Sequence, residues 1–169
     1  MARPATTDAA AFYQYYIGLV PQADALEALH GQKEAYYQLH NRINAENLHT
    51  SYAPGKWTIA QLLQHVIDSE RIFACRALWF ARGSTKSFPG FDENLFASSA
   101  PTTERRVQQL FEELQSVRVS TLLLFKSFDP AAWQRGGIAS EQYVTVNALG
   151  FIIAGHFWHH HKILLERYL

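Results

Sequence analysis

The sequence predicts an all-α protein, a bundle of four long helices with shorter helical additions. Apolar residues recur at helical spacing over long stretches, and capping and stop signals divide the chain into helical segments. Residues 143–146 form the only strand-like fragment. With 169 residues the chain is long enough for one sizeable core. We therefore expect a single domain over residues 1–169.

Two helices are predicted before the first clear break in the chain. The first covers about residues 8–19 and is stopped by Pro21, and the second runs from about residue 24 to residue 44. A proline and a glycine then fall within residues 52–56. Because proline restricts the residue before it and glycine favours turns, this segment is expected to be extended or turned.

The third helix has the clearest predicted boundaries. Thr58 begins it, and Gln61 three residues later completes a capping box. Gly83 predicts a left-handed stop, and a long polar loop follows over residues 83–101. The remaining elements are a fourth helix over residues 102–127, a further turn capped by Asp129 with Pro130 in its first turn, and a last helix from about Thr145 to Leu169.

Three histidines carry the strongest chemical signal. His156 and His160 are four residues apart, so on a helix their side chains lie about 40° apart around the axis and one turn apart along it. His65 flanks the apolar face of the third helix and could complete a three-nitrogen metal site with positions left for water or substrate. The alternative is a histidine-rich face packed in the core or in a dimer contact. Phe157 follows His156, so no zinc-protease motif is present.

The other histidines and the single cysteine are assigned no chemical role. His30, His40 and His49 have no partner at metal-ligand spacing and are expected at the surface or in loops, while His161 should point away from the metal face. Cys75 rules out an internal disulfide, suits a reducing cytoplasm, and is interpreted as a packing residue.

Two charged residues fall in the middle of apolar helix faces. Glu70 lies in the apolar stripe of the third helix, and Arg118 lies in that of the fourth. Each charge is costly to bury alone, so we expect the two to meet or to face a common polar cavity. One interpretation is a buried ion pair that fixes the helix register; the other is a direct catalytic role near substrate.

Composition excludes several classes of protein. Fifteen basic residues balance fifteen acidic ones, which predicts no binding to nucleic acid or to an anionic membrane. The apolar residues 148–158 are too few to span a bilayer, so we expect a soluble, cytoplasmic protein. Few charges and many aromatics predict a homodimer. Trp79 and Phe80 are candidate dimer contacts, unless they lie under the loop over residues 83–101.

Four segments carry a combined pattern: Tyr-Ala-Pro-Gly-Lys-Trp-Thr at residues 52–58, His-Val-Ile-Asp-Ser-Glu-Arg at residues 65–71, Arg-Ala-Leu at residues 76–78, and Ile-Ala-Gly-His at residues 153–156 with His159 and His160. Together they resemble the DinB-like superfamily, and most closely its YfiT-like branch of metal-dependent hydrolases. The resemblance implies a dimeric four-helix bundle of up-down-down-up order. It also implies that His65, His156 and His160 hold a divalent metal, whereas His159 is not one of the three ligands.

The resemblance leaves the reaction open. We expect an enzyme that acts on a small molecule, either as a hydrolase or as a transferase of a low-molecular-weight thiol. Neutral imidazoles accept zinc, nickel, iron or manganese, and the sequence does not choose among them. The opposing hypothesis is a non-enzymatic metal-binding or stress-response protein with a vestigial or structural site. A fourth ligand such as Asp68 or His159 would favour a structural site.

Overall fold

The computed structural model describes residues 2–169 and is predominantly helical. The helices are α1 (Ala11–Gly18), α2 (Ala25–His30), α3 (Lys33–Arg42), α4 (Ile59–Ala81), α5 (Glu93–Ser99), α6 (Val107–Lys126), α7 (Pro130–Gln134) and α8 (Val146–Ile163). A 3₁₀ turn at Thr6–Asp8 precedes them, and a π-helical turn at Leu164–Tyr168 follows. Among the described residues, no helix is both long and apolar enough to cross a membrane.

The long helices pack around α4. Helix α4 contacts both α6 and α8, α2 contacts the same two helices, and α1 lies against α8. The apolar stripe predicted for the third helix is buried as expected, because it faces these neighbours. Its members are Ile59, Leu63, Val66, Phe73 and Ala77.

The predicted caps are confirmed. Gln61 N–H donates to Thr58 Oγ1 at 3.2 Å, and Thr58 N–H donates to Gln61 Oε1 at 2.9 Å, so a reciprocal capping box starts α4. Gly83 lies just past the end of α4 with φ of 81°, in the left-handed region that glycine tolerates. Asp129 accepts from the Ala132 N–H at 2.7 Å and caps α7.

The second predicted helix is broken, which corrects the expectation of one helix over residues 24–44. Helix α2 ends at His30, and α3 begins only after Gly31 and Gln32. Gln32 is buried between the helices, where its Nε2 donates to Ala154 O at 2.7 Å and its Oε1 accepts from Arg118 Nη1. Glycine weakens a helix at this position, and the tertiary hydrogen bonds of Gln32 stabilise the break.

The region after α4 also differs from the prediction. The loop over residues 83–101 contains α5, which Asp92 caps by accepting from the N–H groups of Asn94 and Leu95. Helix α6 begins at Val107 and not near residue 102. Asp92 was a usable sequence signal, since an aspartate that precedes helix-compatible residues is a common cap.

Two aromatic residues proposed as dimer contacts pack within the chain. Phe80 is only 1% exposed and lies against Gly137, so that assignment is wrong. Trp79 is partly exposed, but its Nε1 donates to Lys86 O at 2.9 Å and its ring packs against Phe88 in the loop. The packing role predicted for Cys75 is also wrong, because this residue is exposed.

A small antiparallel sheet corrects the all-α class. Strand β1 (Gly136–Ala139) pairs with β2 (Gln142–Thr145), with Gly136 opposite Thr145 and Ala139 opposite Gln142. Ser140 and Glu141 form the connecting turn with φ of 50° and 64°. Such turns usually carry Asn or Gly at these positions, so Ser-Glu gives no hairpin signal in the sequence.

The core consists of two hydrophobic clusters separated by polar side chains. On α4, residues up to Ile67 belong to one cluster and residues from Phe73 onward belong to the other. On α8, the division falls between Ala154 and Phe157. We call the buried polar residues at this level the polar layer; they are Gln32, His65, Ser69, Glu70, Arg118, Thr121, His156 and His160.

Candidate metal centre and its cavity

The three predicted histidines converge in the polar layer. Helix α4 supplies His65, and α8 supplies His156 and His160 on adjacent turns. His156 Nε2 lies 3.1 Å from His65 Nε2 and 3.1 Å from His160 Nε2. All three side chains are buried.

This arrangement fits a divalent metal ion. Metal–nitrogen bonds of about 2.0–2.1 Å place two ligand nitrogens about 3 Å apart at ordinary coordination angles, which agrees with the two observed spacings of 3.1 Å. Within residues 2–169 the cluster of metal-binding side chains contains these three histidines and no fourth ligand.

Burial keeps these imidazoles uncharged near neutral pH. Desolvation, with a smaller contribution from His159, lowers the pKa of His65 to about 4. Desolvation also lowers the pKa values of His156 and His160 well below the ordinary value, and neighbouring histidines add to the effect. A metal ligand must be neutral imidazole, so the fold holds all three in the form that binds a metal.

His65 and His160 differ in the contacts that their Nδ1 atoms make. His65 Nδ1 lies 3.5 Å from Ser69 Oγ, one turn along α4. If Nε2 binds the metal, Nδ1 carries the proton and donates to that hydroxyl. Nδ1 of His160 is buried and has no hydrogen-bond partner among the described residues. Aromatic rings restrict the other faces, with Trp57 4.9 Å from the His65 ring and Tyr16 5.4 Å from the His156 ring.

Neither proposed fourth ligand joins the three histidines. Asp68 Oδ1 accepts from Gln64 Nε2 at 3.0 Å, away from the imidazoles. His159 Nδ1 lies 3.2 Å from the hydroxyl of Tyr15. His161 is outside the cluster and does not line the cavity, as expected, but it is buried and packs against Trp158.

A partly open cavity of about 610 Å³ leads to the three histidines. Helix α1 provides one aromatic wall, and α4 provides another through every third or fourth residue. The residues that line the cavity besides the histidine ligands include Phe12, Tyr13, Tyr16, Trp57, Ser69, Phe73, Arg76, Phe91, Glu93, Ser140, Gln142 and His159. A hollow of similar volume, about 580 Å³, lies beside His40 and His49 without any cluster of metal-binding side chains in the described chain.

Sequence reasoning missed the α4 wall of this cavity. Ser69, Phe73 and Arg76 follow His65 at intervals of four, four and three residues, which places all of them on one helix face. This spacing was visible in the sequence. The contribution of α1 was not, because it depends on how the first helix packs against α8.

The expected meeting of Glu70 and Arg118 is confirmed. Arg118 Nε and Nη2 donate to the two carboxylate oxygens of Glu70, each at 2.8 Å, and both side chains are almost fully buried. Arg118 Nη1 also donates to Leu29 O at 3.0 Å and to Gln32. Neither member of the pair lies among the residues that line the cavity.

Three comparisons relate the chain to known proteins. The family model of the DinB superfamily matches residues 28–164. A protein of Geobacillus thermodenitrificans, described as a "Putative metal-dependent hydrolase", is 27% identical over 121 residues, which cover 70% of this chain and 67% of that protein. YfiT from Bacillus subtilis, described as a probable metal-dependent hydrolase with an unusual four-helix bundle topology, matches with a TM-score of 0.70 and 17% identity over 96% of this chain and 89% of YfiT. At that identity the likeness to YfiT shows the fold.

Proposed function

The chain belongs to the DinB superfamily, and from this premise we propose that it is a metal-dependent enzyme that acts on a small molecule bound in the cavity. One observation carries the proposal. The three converging histidines line an accessible cavity of about 610 Å³, and no fourth ligand among the described residues closes the site. Catalytic metal sites keep a position open, whereas structural sites are normally closed by four protein ligands.

The residues of the chain have separate roles in this proposal. His65, His156 and His160 hold the ion, which when bound lowers the pKa of a coordinated water or thiol and so makes a nucleophile available near neutral pH. Ser69 orients the ring of His65. The aromatic walls limit the water that reaches the site.

The pair of Glu70 and Arg118 has a positioning role in this proposal. Arg118 holds Gln32, and Gln32 in turn donates to Ala154 O, two residues before His156. These contacts fix α8 against α4, so the histidines contributed by the two helices stay in register. The proposal also includes the up-down-down-up helix order and the homodimer that the family resemblance implies.

Two reactions are compatible with this site, and they differ in the nucleophile. Hydrolysis uses water, and it is favoured by the description of the Geobacillus relative as a metal-dependent hydrolase. Transfer of a low-molecular-weight thiol uses a thiolate, and it is favoured by the chemistry of the wider family. Zinc, nickel, iron and manganese all suit three imidazole ligands.

The experiment begins with protein purified without an affinity tag. We expect one divalent ion per chain by elemental analysis. The protein loaded separately with zinc, nickel, iron or manganese is then assayed against a panel of esters and amides, and against an aryl chloride in the presence of several thiols. Turnover that a chelator abolishes and metal restores supports the proposal. Stoichiometric metal without turnover in any panel favours the non-enzymatic alternative.

A further inference from the structure

We propose that the cavity selects small molecules that carry an anionic group, and that Arg76 supplies the positive charge that recognises this group beside the metal centre. The inference rests on the proposed function in one respect, since it takes the metal centre to bind the other end of the same molecule. The chemical class is an organic acid with a metal-binding atom, such as a thiol carboxylic acid.

The contrast between the two buried arginines motivates this proposal. Arg118 is neutralised by Glu70 through two hydrogen bonds of 2.8 Å. Arg76 is just as deeply buried, at 1% exposure, yet it forms no ion pair within the described residues. A buried charge normally has a partner of opposite sign. The described residues provide no such partner for Arg76.

The hydrogen bonds of Arg76 leave donors free. Nη2 donates to Pro89 O at 3.1 Å and to Ser140 Oγ at 2.7 Å, while Nη1 donates to Tyr13 Oη at 3.4 Å. All three acceptors are neutral. Nε is buried without a partner among the described residues, although a guanidinium has five N–H donors to satisfy.

The position of Arg76 places this charge beside the metal centre. Arg76 and the three histidines line the same cavity. The Arg76 guanidinium carbon lies 5.6 Å from the centre of the Phe73 ring, and that ring centre lies 5.7 Å from the His156 ring centre. The charge and the metal ligands are thus separated by one aromatic ring, a span that a single small molecule can bridge.

The charges around the cavity favour an anion. Three neutral imidazoles would leave the charge of a divalent ion uncompensated, and Arg76 adds a further positive charge. Burial lowers the pKa of Arg76 from its ordinary value, but arginine stays protonated in proteins. Among the described residues, Glu93 is the only carboxylate that lines the cavity, and it is exposed. Because the guanidinium is largely removed from water, its attraction for an anion is screened little.

A purely structural role for Arg76 is the competing explanation. Its bonds to Pro89 and Ser140 tie the loop after α4 to the β1–β2 turn, whose residues Ser140 and Glu141 have positive φ. Neutral acceptors can serve that function without a counter-charge, and this explanation predicts no preference for charged ligands.

The test uses two probes of nearly equal size and shape, the anionic ω-mercaptohexanoate and its neutral amide. Their dissociation constants are measured by calorimetry with metal-loaded and metal-free protein. We expect the wild type to bind the carboxylate about tenfold more tightly than the amide or better, as hydrogen bonds to a charged group allow. Arg76→Met should abolish this preference. Ser140→Ala, which removes one hydrogen bond but no charge, should retain it, as should Arg76→Lys in part.

The two proposals fail in different ways. Equal affinities of the wild type for the carboxylate and the amide overturn the role of Arg76, and this result needs no variant that has to fold. A preference that survives in Arg76→Met also overturns it. If the preference is present but metal loading changes neither affinity, the anion site stands and the proposed metal chemistry is wrong.

Discussion

Arg118 and Glu70 form a two-bond ion pair inside the bundle, with Nε and Nη2 each 2.8 Å from a carboxylate oxygen. The coulombic attraction of Glu70 raises the pKa of Arg118 despite the opposing effect of burial. Substitution of either residue leaves the charge of the other buried and unpaired. We therefore expect Glu70→Gln or Arg118→Met alone to lower the free energy of unfolding by about 3–5 kcal/mol.

The variant that carries both substitutions shows whether Glu70 and Arg118 stabilise the fold as a pair or separately. Removal of both charges should cost clearly less than the sum of the two single changes, as measured by urea denaturation in a double-mutant cycle. Additive losses below about 1 kcal/mol would mean that the two residues do not interact in solution.

A second prediction concerns the metal ligands. His65→Ala, His156→Ala and His160→Ala should each abolish stoichiometric binding of a divalent ion, because two imidazoles hold it too weakly. Circular dichroism should show largely unchanged helical content. His49→Ala is the matched control, since His49 is exposed and lies outside the cluster. Full occupancy in His65→Ala would exclude His65 as the third ligand.

The stability of metal-free protein should depend on pH between about 6.5 and 4. The pKa of His65 falls from an ordinary value of 6.5 to about 4 in the fold. Between these values the His65 imidazole is protonated in the unfolded chain but not in the folded chain. The free energy of unfolding therefore decreases as the pH falls. Urea midpoints of wild type and His65→Gln compared across this range isolate the contribution of His65. A difference between them that is independent of pH would contradict the assigned shift.

Gly155 should be intolerant of any side chain. A Cβ at this position would lie 1.9 Å from the carbonyl oxygen of Tyr16, and backbone atoms cannot move aside cheaply. We expect Gly155→Ala to destabilise the protein by about 1–3 kcal/mol or more in thermal or urea unfolding. Gly18→Ala is the control, because nothing lies within 4 Å of its added Cβ. Equal effects of the two changes would show that α1 is not seated against α8 in solution.

The homodimer remains a prediction from composition and family resemblance. Light scattering at low micromolar concentration should give twice the mass of the chain. With Phe80 buried, the outer face of α6 offers better candidate contacts, since Val119 and Leu123 are 56% and 63% exposed one turn apart. Leu123→Glu should then shift the mass toward the monomer, and a monomeric wild type would reject the dimer outright.

The sequence predicted those parts of the fold that depend on interactions between residues close together in the chain. The Thr58–Gln61 capping box and the stop at Gly83 depend on neighbours in the chain, and the apolar spacing of the α4 stripe is likewise local. The break at Gln32 is not local, because it is stabilised by Ala154 and Arg118 from distant segments. The hairpin was missed because its turn carries none of the usual residues.

The same distinction applies to the site. The three histidines could be chosen from helical spacing, and the opposite charges of Glu70 and Arg118 implied that they meet. Arg76 lies on the same face of α4 as His65, but its lack of a counter-charge becomes apparent only once the surrounding loops are placed. An uncompensated charge is a property of three-dimensional packing and has no signature in a local sequence.

The cavity is lined by two parts of the chain, one within the span matched by the family model and one before it. The three histidines and Arg76 lie within residues 28–164, the span matched by the family model, whereas α1 at Ala11–Gly18 precedes it and supplies Phe12, Tyr13 and Tyr16 to the wall. The aromatic wall from α1 and the three histidines thus come from different helices, and they meet where Tyr16 packs against His156. A substitution in α1 would therefore alter the shape of the cavity and the packing around His156 together.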